Sequence, residues 1–179
     1  MEEQIKLMNE YTTDDFKDLY DEVVKEASEY DVEDDIMHKW IMRTLSEQKL
    51  YYKTELTKEQ IRQLAKQQME RSQAWKMHAK NEYGITVTDE EIDEYIENGP
   101  DKSENPQRLA FAEALGMTLK EYNHEFDRDL YENQVLMHKL LPKLEEKYDI
   151  EEQDILMEKY SEESIKDLEE KFTFVQEDE

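Results

Sequence analysis

The chain has 179 residues, with 48 acidic against 23 basic side chains, a formal net charge of −25 and no cysteine. That length fits one domain, or a domain with an appended arm. The charge repels phosphate backbones and anionic lipid, which argues against nucleic acid and membrane surfaces as partners, and without cysteine there is no disulfide, thiol nucleophile or cysteine-based zinc site.

Leu, Ile, Val and Phe supply only 37 of the 179 residues, close to the roughly 20% level below which highly charged chains tend to stay unfolded. Eleven Tyr, nine Met and two Trp add apolar surface at helical spacing, so a folded protein without a deep core is expected. No run approaches the roughly 20 apolar residues of a spanning helix. The opening Met-Glu-Glu-Gln-Ile-Lys is not a basic-then-apolar leader. The chain as written is expected in the cytoplasm, or outside it if a leader or anchor has been removed.

Residues 1–30 predict one helix or two around Ile5, Leu7, Met8, Phe16, Leu19, Tyr20 and Val23, capped by Thr12 or Thr13. Asp31 is the expected cap of the next helix, in which Ile36, Met37, Trp40, Ile41, Leu45 and Tyr52 recur at three- and four-residue steps and form one broad apolar side. Thr57-Lys58-Glu59-Gln60 is a capping box opening a helix that runs to about Tyr83. Gly84, able to take the left-handed conformation, closes it, and β-branched Ile85-Thr86-Val87 favours an extended link. Thr88 with Glu91 caps a helix carrying Ile92, Tyr95 and Ile96, which Asn98-Gly99-Pro100 stops. Asn105-Pro106 starts a short helix closed by Gly116, and Thr118 with Glu121 starts a Leu-rich one that Pro142 should bend or break. Asp149 is the expected cap of a last helix with Ile155, Leu156, Tyr160, Ile165, Leu168 and Phe172, and the apolar tail at 172–175 should dock. Caps at Thr57, Thr88 and Thr118 recur at similar intervals, but the segments between them differ in length and pattern, so no repeat is assigned. With three glycines, three prolines and no sustained alternation, the expected fold is all-α.

The succession of a long amphipathic helix, then Tyr-Gly-Ile-Thr-Val-Thr-Asp-Glu-Glu-Ile-Asp-Glu-Tyr-Ile at 83–96, then Ala-Leu-Gly-Met-Thr-Leu-Lys-Glu-Tyr at 114–122 leading into a Leu-rich helix, resembles the N-terminal chaperone domain of SurA and PrsA. The likeness covers about residues 60–147. It implies an irregular bundle of about six to seven helices with a returning C-terminal helix, a cradle for unfolded clients and no catalytic group. No room remains for the roughly 90-residue isomerase domain such proteins carry. The resulting division is 1–59 for N-terminal helices, 60–148 for the resembling core, and 149–179 for the C-terminal helix and acidic tail packed on the same domain.

Metal and catalytic motifs find little support. Asp35-x-x-His38 and Glu121-x-x-His124 have the carboxylate–imidazole spacing of di-iron bundles, yet 48 acids generate such spacings by chance, and Glu121 is already the partner of Thr118. His78 and His138 are read as residues of polar helix faces. There is no Gly-rich phosphate loop, serine elbow or Cys–His arrangement, so no enzymatic activity, metal or cofactor is expected. Roughly two in three of the large apolar side chains must be core. A client-binding groove is expected among Met37, Trp40, Met69, Trp75, Tyr83, Ile92, Tyr95, Tyr122 and Phe126, where Met and aromatic groups adapt to varied sequences. The functional expectation is a non-catalytic peptide- or protein-binding module, chaperone-like or an adaptor. The alternative is an acidic regulatory or inhibitory protein that occupies a basic site on one partner, as a nucleic-acid mimic would. The expected partner is an unfolded or partner protein or peptide, with a homodimer as a further option and neither nucleic acid nor membrane insertion.

Overall fold

The computed structural model describes residues 12–52 and 55–176, with side chains through Asp167. Ile5, Leu7 and Met8, and the side chains of Leu168, Phe172 and the apolar tail, lie outside the described residues. The described chain is all-helical: α1 Thr13–Ala27, α2 Asp35–Glu47, α3 Lys58–Tyr83, α4 Asp89–Asn98, α5 Pro106–Ala114, α6 Leu119–Glu121, α7 Arg128–Tyr148 and α8 Gln153–Gln176. Two π-turns, Gln48–Tyr52 and Tyr122–Phe126, follow α2 and α6, and a 3₁₀ turn Pro100–Lys102 follows α4.

The punctuation is local chemistry. Thr12, Thr57, Thr88 and Thr118 each accept a backbone N–H three residues on while the residue at that position, Asp15, Gln60, Glu91 or Glu121, accepts the threonine N–H in return. Gly116, at φ +69°, closes α5 with a Schellman pair: its N–H donates to the Glu113 carbonyl and the Met117 N–H to that of Ala112, both at 2.9 Å. Gly84 closes α3 at φ +65°.

Two expectations need correction, and of the bend or break expected at Pro142 the break does not occur. The cap of α2 is Asp34, whose carboxylate accepts the Ile36 N–H at 2.9 Å, and not Asp31; the run Asp31-Val32-Glu33-Asp34-Asp35 offers several equivalent acids, and the neighbouring packing selects one. Asp149 does not open α8. It sits at φ 55° and donates its N–H to the Glu145 carbonyl, ending α7 in the left-handed conformation that Asp tolerates, and α8 starts from the Glu152 carbonyl. Pro142 lies inside α7 without ending it. The proline is exposed while Leu140 and Leu144 are fully buried, so burial on the opposite face holds the helix across the missing bond.

Packing groups these elements into two units, each drawn from two stretches of chain. The first comprises the described residues through Met69 together with Ile96–Asp127, and the second Glu70–Tyr95 together with the described residues from Arg128 onward. α3 and α4 each contribute residues to both units.

In the first unit α1 packs mainly on α5 and then on α2. Phe16, Tyr20, Val23 and Ala27 point inward from α1 and meet Phe111, Tyr122 and Phe126, with Tyr20 stacked on Phe111 at 4.3 Å. Seven successive residues of α2, Trp40–Ser46, are buried, so this stretch of the helix is enclosed all round where the sequence pattern showed one apolar side. Its polar members make internal hydrogen bonds. Thr44 donates to Gln68 at 2.8 Å, Ser46 to the Met42 carbonyl at 2.8 Å, and Arg43 to the Phe126 carbonyl at 2.7 Å and the Asp127 carboxylate at 3.1 Å.

In the second unit the core is Ala79, Ile85, Leu136, Met137, Leu140, Leu144, Leu156 and Tyr160. The last helix therefore packs back on α7 and on the later part of α3. Lys143 donates to the Tyr83 carbonyl at 3.2 Å and Lys139 to that of Thr86 at 2.7 Å, so cations of α7 satisfy carbonyls left open where α3 ends.

Candidate functional site

The nine expected client-binding residues are divided between the two units. Trp40, Tyr122 and Phe126 are buried in the core of the first unit, with Met37 and Met69 half-buried against it. Tyr122 and Phe126 stack at 5.3 Å and each lies beside Phe111. Ile92 is buried. In the second unit Trp75 and Tyr83 are half-buried against the core, and the half-buried Tyr95 ring faces Tyr131 at 6.0 Å and His138 at 5.7 Å. Periodicity selected these positions because it marks faces that leave water; it does not distinguish a groove from a core.

A cleft among the described residues is lined by other side chains. A solvent-open cleft of about 360 Å³ in the first unit is lined by Glu26, Leu45, Gln48, Lys49, Glu55, Leu56 and Ile61, none of them selected from the sequence. Leu45 and Ile61 are 3% and 2% exposed and form its floor with half-buried Leu56. Four segments meet there: the end of α1, the end of α2 with its π-turn, the Glu55-Leu56 link and the start of α3. The π-turn places Gln48 and Lys49 at the cleft, and such insertions recur at functional sites. Lys49 bridges Glu22 and Glu26, each at 2.9 Å. Burial pushes its ammonium down, but the two carboxylates outweigh that and hold it above the ordinary lysine range. The one feature of the sequence that could have pointed here is the short gap between the apolar run ending near Tyr52 and the capping box at Thr57. What it did not reveal was which side chains that link turns inward.

A second feature, in the other unit, was also missed. His78, read as lying on a polar face, is 4% exposed. Its Nδ1 lies 2.5 Å from the Asp167 carboxylate and its Nε2 3.2 Å from that of Glu163. Glu163 further accepts hydrogen bonds from Tyr83, Tyr148 and Lys147. Burial pushes the Glu163 carboxyl up, yet its donors from Lys147, Tyr83 and His78 prevail and hold it below the usual glutamate value. Glu163 and Asp167 stand four apart on α8 and so share one helix face, and Tyr83 follows His78 by five on α3, an arrangement visible only once the two helices are packed. Both imidazole nitrogens are taken by carboxylates, which makes this a tie between helices, with neither nitrogen facing open space.

The other histidines are also placed. His38 lies 3.0 Å from the Ala27 carbonyl and His124 3.0 Å from Asp101, while Glu121 is bound to Thr118. Among the described residues no group of three or more His, Asp or Glu side chains is arranged to hold a metal ion, and no helix is long and apolar enough to cross a membrane. Compared with protein-family models, curated proteins and solved structures, the chain matches none.

Proposed function

We propose that this chain is a non-catalytic protein-binding module, chaperone-like or an adaptor, that receives an apolar part of another polypeptide in the cleft between α1, α2 and α3. The observation that carries this reading is a cleft open to solvent in which half-buried Leu56 lies over buried Leu45 and Ile61, an apolar patch inside a concavity rimmed by charged side chains. The likeness of residues 60–147 to the SurA and PrsA chaperone domain supports the same class of activity. The two carboxylates on the His78 ring support a structural use of that cluster in preference to proton transfer.

The test is suppression of aggregation. A 1:1 mixture with an aggregation-prone client should lower light scattering, and Leu56→Asp should remove the effect while leaving the helical circular dichroism intact. Unchanged scattering with wild-type protein would refute the proposal. The net charge of −25 favours a second reading, an acidic protein that occupies a basic site on one partner. Ionic strength separates the two, since apolar capture survives or strengthens in high salt whereas charge-driven capture weakens steeply.

A further inference from the structure

The cleft has an electrical character that its apolar floor conceals. Lys49 is the cation at its edge, and that charge is already answered by Glu22 and Glu26 at 2.9 Å each. Glu55 at the same cleft is exposed and makes no hydrogen bond or ion pair among the described residues. Two carboxylates, Glu26 and Glu55, thus stand against one ammonium in the lining, and that ammonium is shared with Glu22 outside it, in a chain of net charge −25. A volume of about 360 Å³ lies at the low end of the roughly 300–1,000 Å³ of ligand pockets, the scale of one or two long side chains.

A neutral apolar side chain would fill the floor and leave the surplus charge unanswered. An acidic one would be repelled. A long aliphatic stem ending in a cation matches both parts, the stem lying on Leu56 and the head reaching Glu55. We infer that the cleft takes a lysine or arginine side chain from an extended segment of the partner protein. This rests on the protein-binding reading above and specifies the chemistry of what is bound.

The experiment measures fluorescence anisotropy of labelled twelve-residue peptides that share an apolar host sequence and differ at one central position, lysine, norleucine or glutamate. Wild-type protein should bind the lysine peptide about three- to fivefold tighter than the norleucine peptide, the range expected of one solvent-accessible ion pair, and the glutamate peptide weakest. E55Q should bring lysine and norleucine together without weakening norleucine, and 0.5 M salt should shrink the same gap. Norleucine binding as tightly as lysine, or a preference unchanged in E55Q, overturns the inference while leaving the binding module standing. Failure of all three peptides to bind protein shown to be folded overturns both.

Discussion

Glu163 shows how much one side chain can gather. Its carboxylate accepts from His78, Tyr83, Tyr148 and Lys147, and removing its charge leaves several partly buried donors without their acceptor. Glu163→Gln should therefore cost about 2 kcal/mol of folding stability in urea denaturation. Because the folded carboxyl lies below its ordinary value, its contribution is complete above the unfolded glutamate pKa of about 4.3 and is lost as pH falls through the folded one. Wild-type stability should fall on acidification below about pH 4.3, and the difference between wild type and variant should narrow there. Arg43 and Asp127 pose the same question inside the first unit, where their side chains are 8% and 11% exposed. Asp127→Ala would strand a buried guanidinium and should cost about 3–5 kcal/mol, read from the denaturation midpoint. Neither cluster has a sequence signal, since the partners lie 83 to 89 residues apart.

At the scale of elements, helix ends obey rules that need only four or five neighbours. Thr118→Ala removes the hydroxyl that accepts the Glu121 N–H and should lower thermal stability by about 1 kcal/mol. Gly116→Ala meets no atom within 4 Å, so its penalty is the left-handed conformation alone, about 1 kcal/mol. Pro142→Ala should act in the opposite direction. The residue is exposed and within α7, so restoring the helical N–H should raise the melting temperature, by an amount below the roughly 3 kcal/mol that proline costs in an unconstrained helix. Cap positions were legible where one candidate stood alone, as at Thr57, Thr88 and Thr118. They were misplaced at Asp31 and Asp149, where several acids compete within five residues and the choice belongs to packing.

Over the whole molecule, charge dominates. A net charge of −25 over 179 residues repels itself in the compact state, so raising sodium chloride from about 0.1 M to about 1 M, which shortens the Debye length from roughly 10 Å to 3 Å, should raise the melting temperature. A flat or falling curve would show that the ion pairs of both units outweigh the repulsion. The amino-acid sequence by itself determined the helical class, most helix limits and the acidic surface, because these depend on hydrogen bonds within a turn, on backbone freedom at glycine and on composition. Tertiary structure alone decided which apolar faces became core, how residues far apart in the chain form two units, where the cleft opens and what encloses His78. Those outcomes rest on contacts between residues far apart in the chain, and a periodic pattern announces that a face leaves water without naming the surface that covers it.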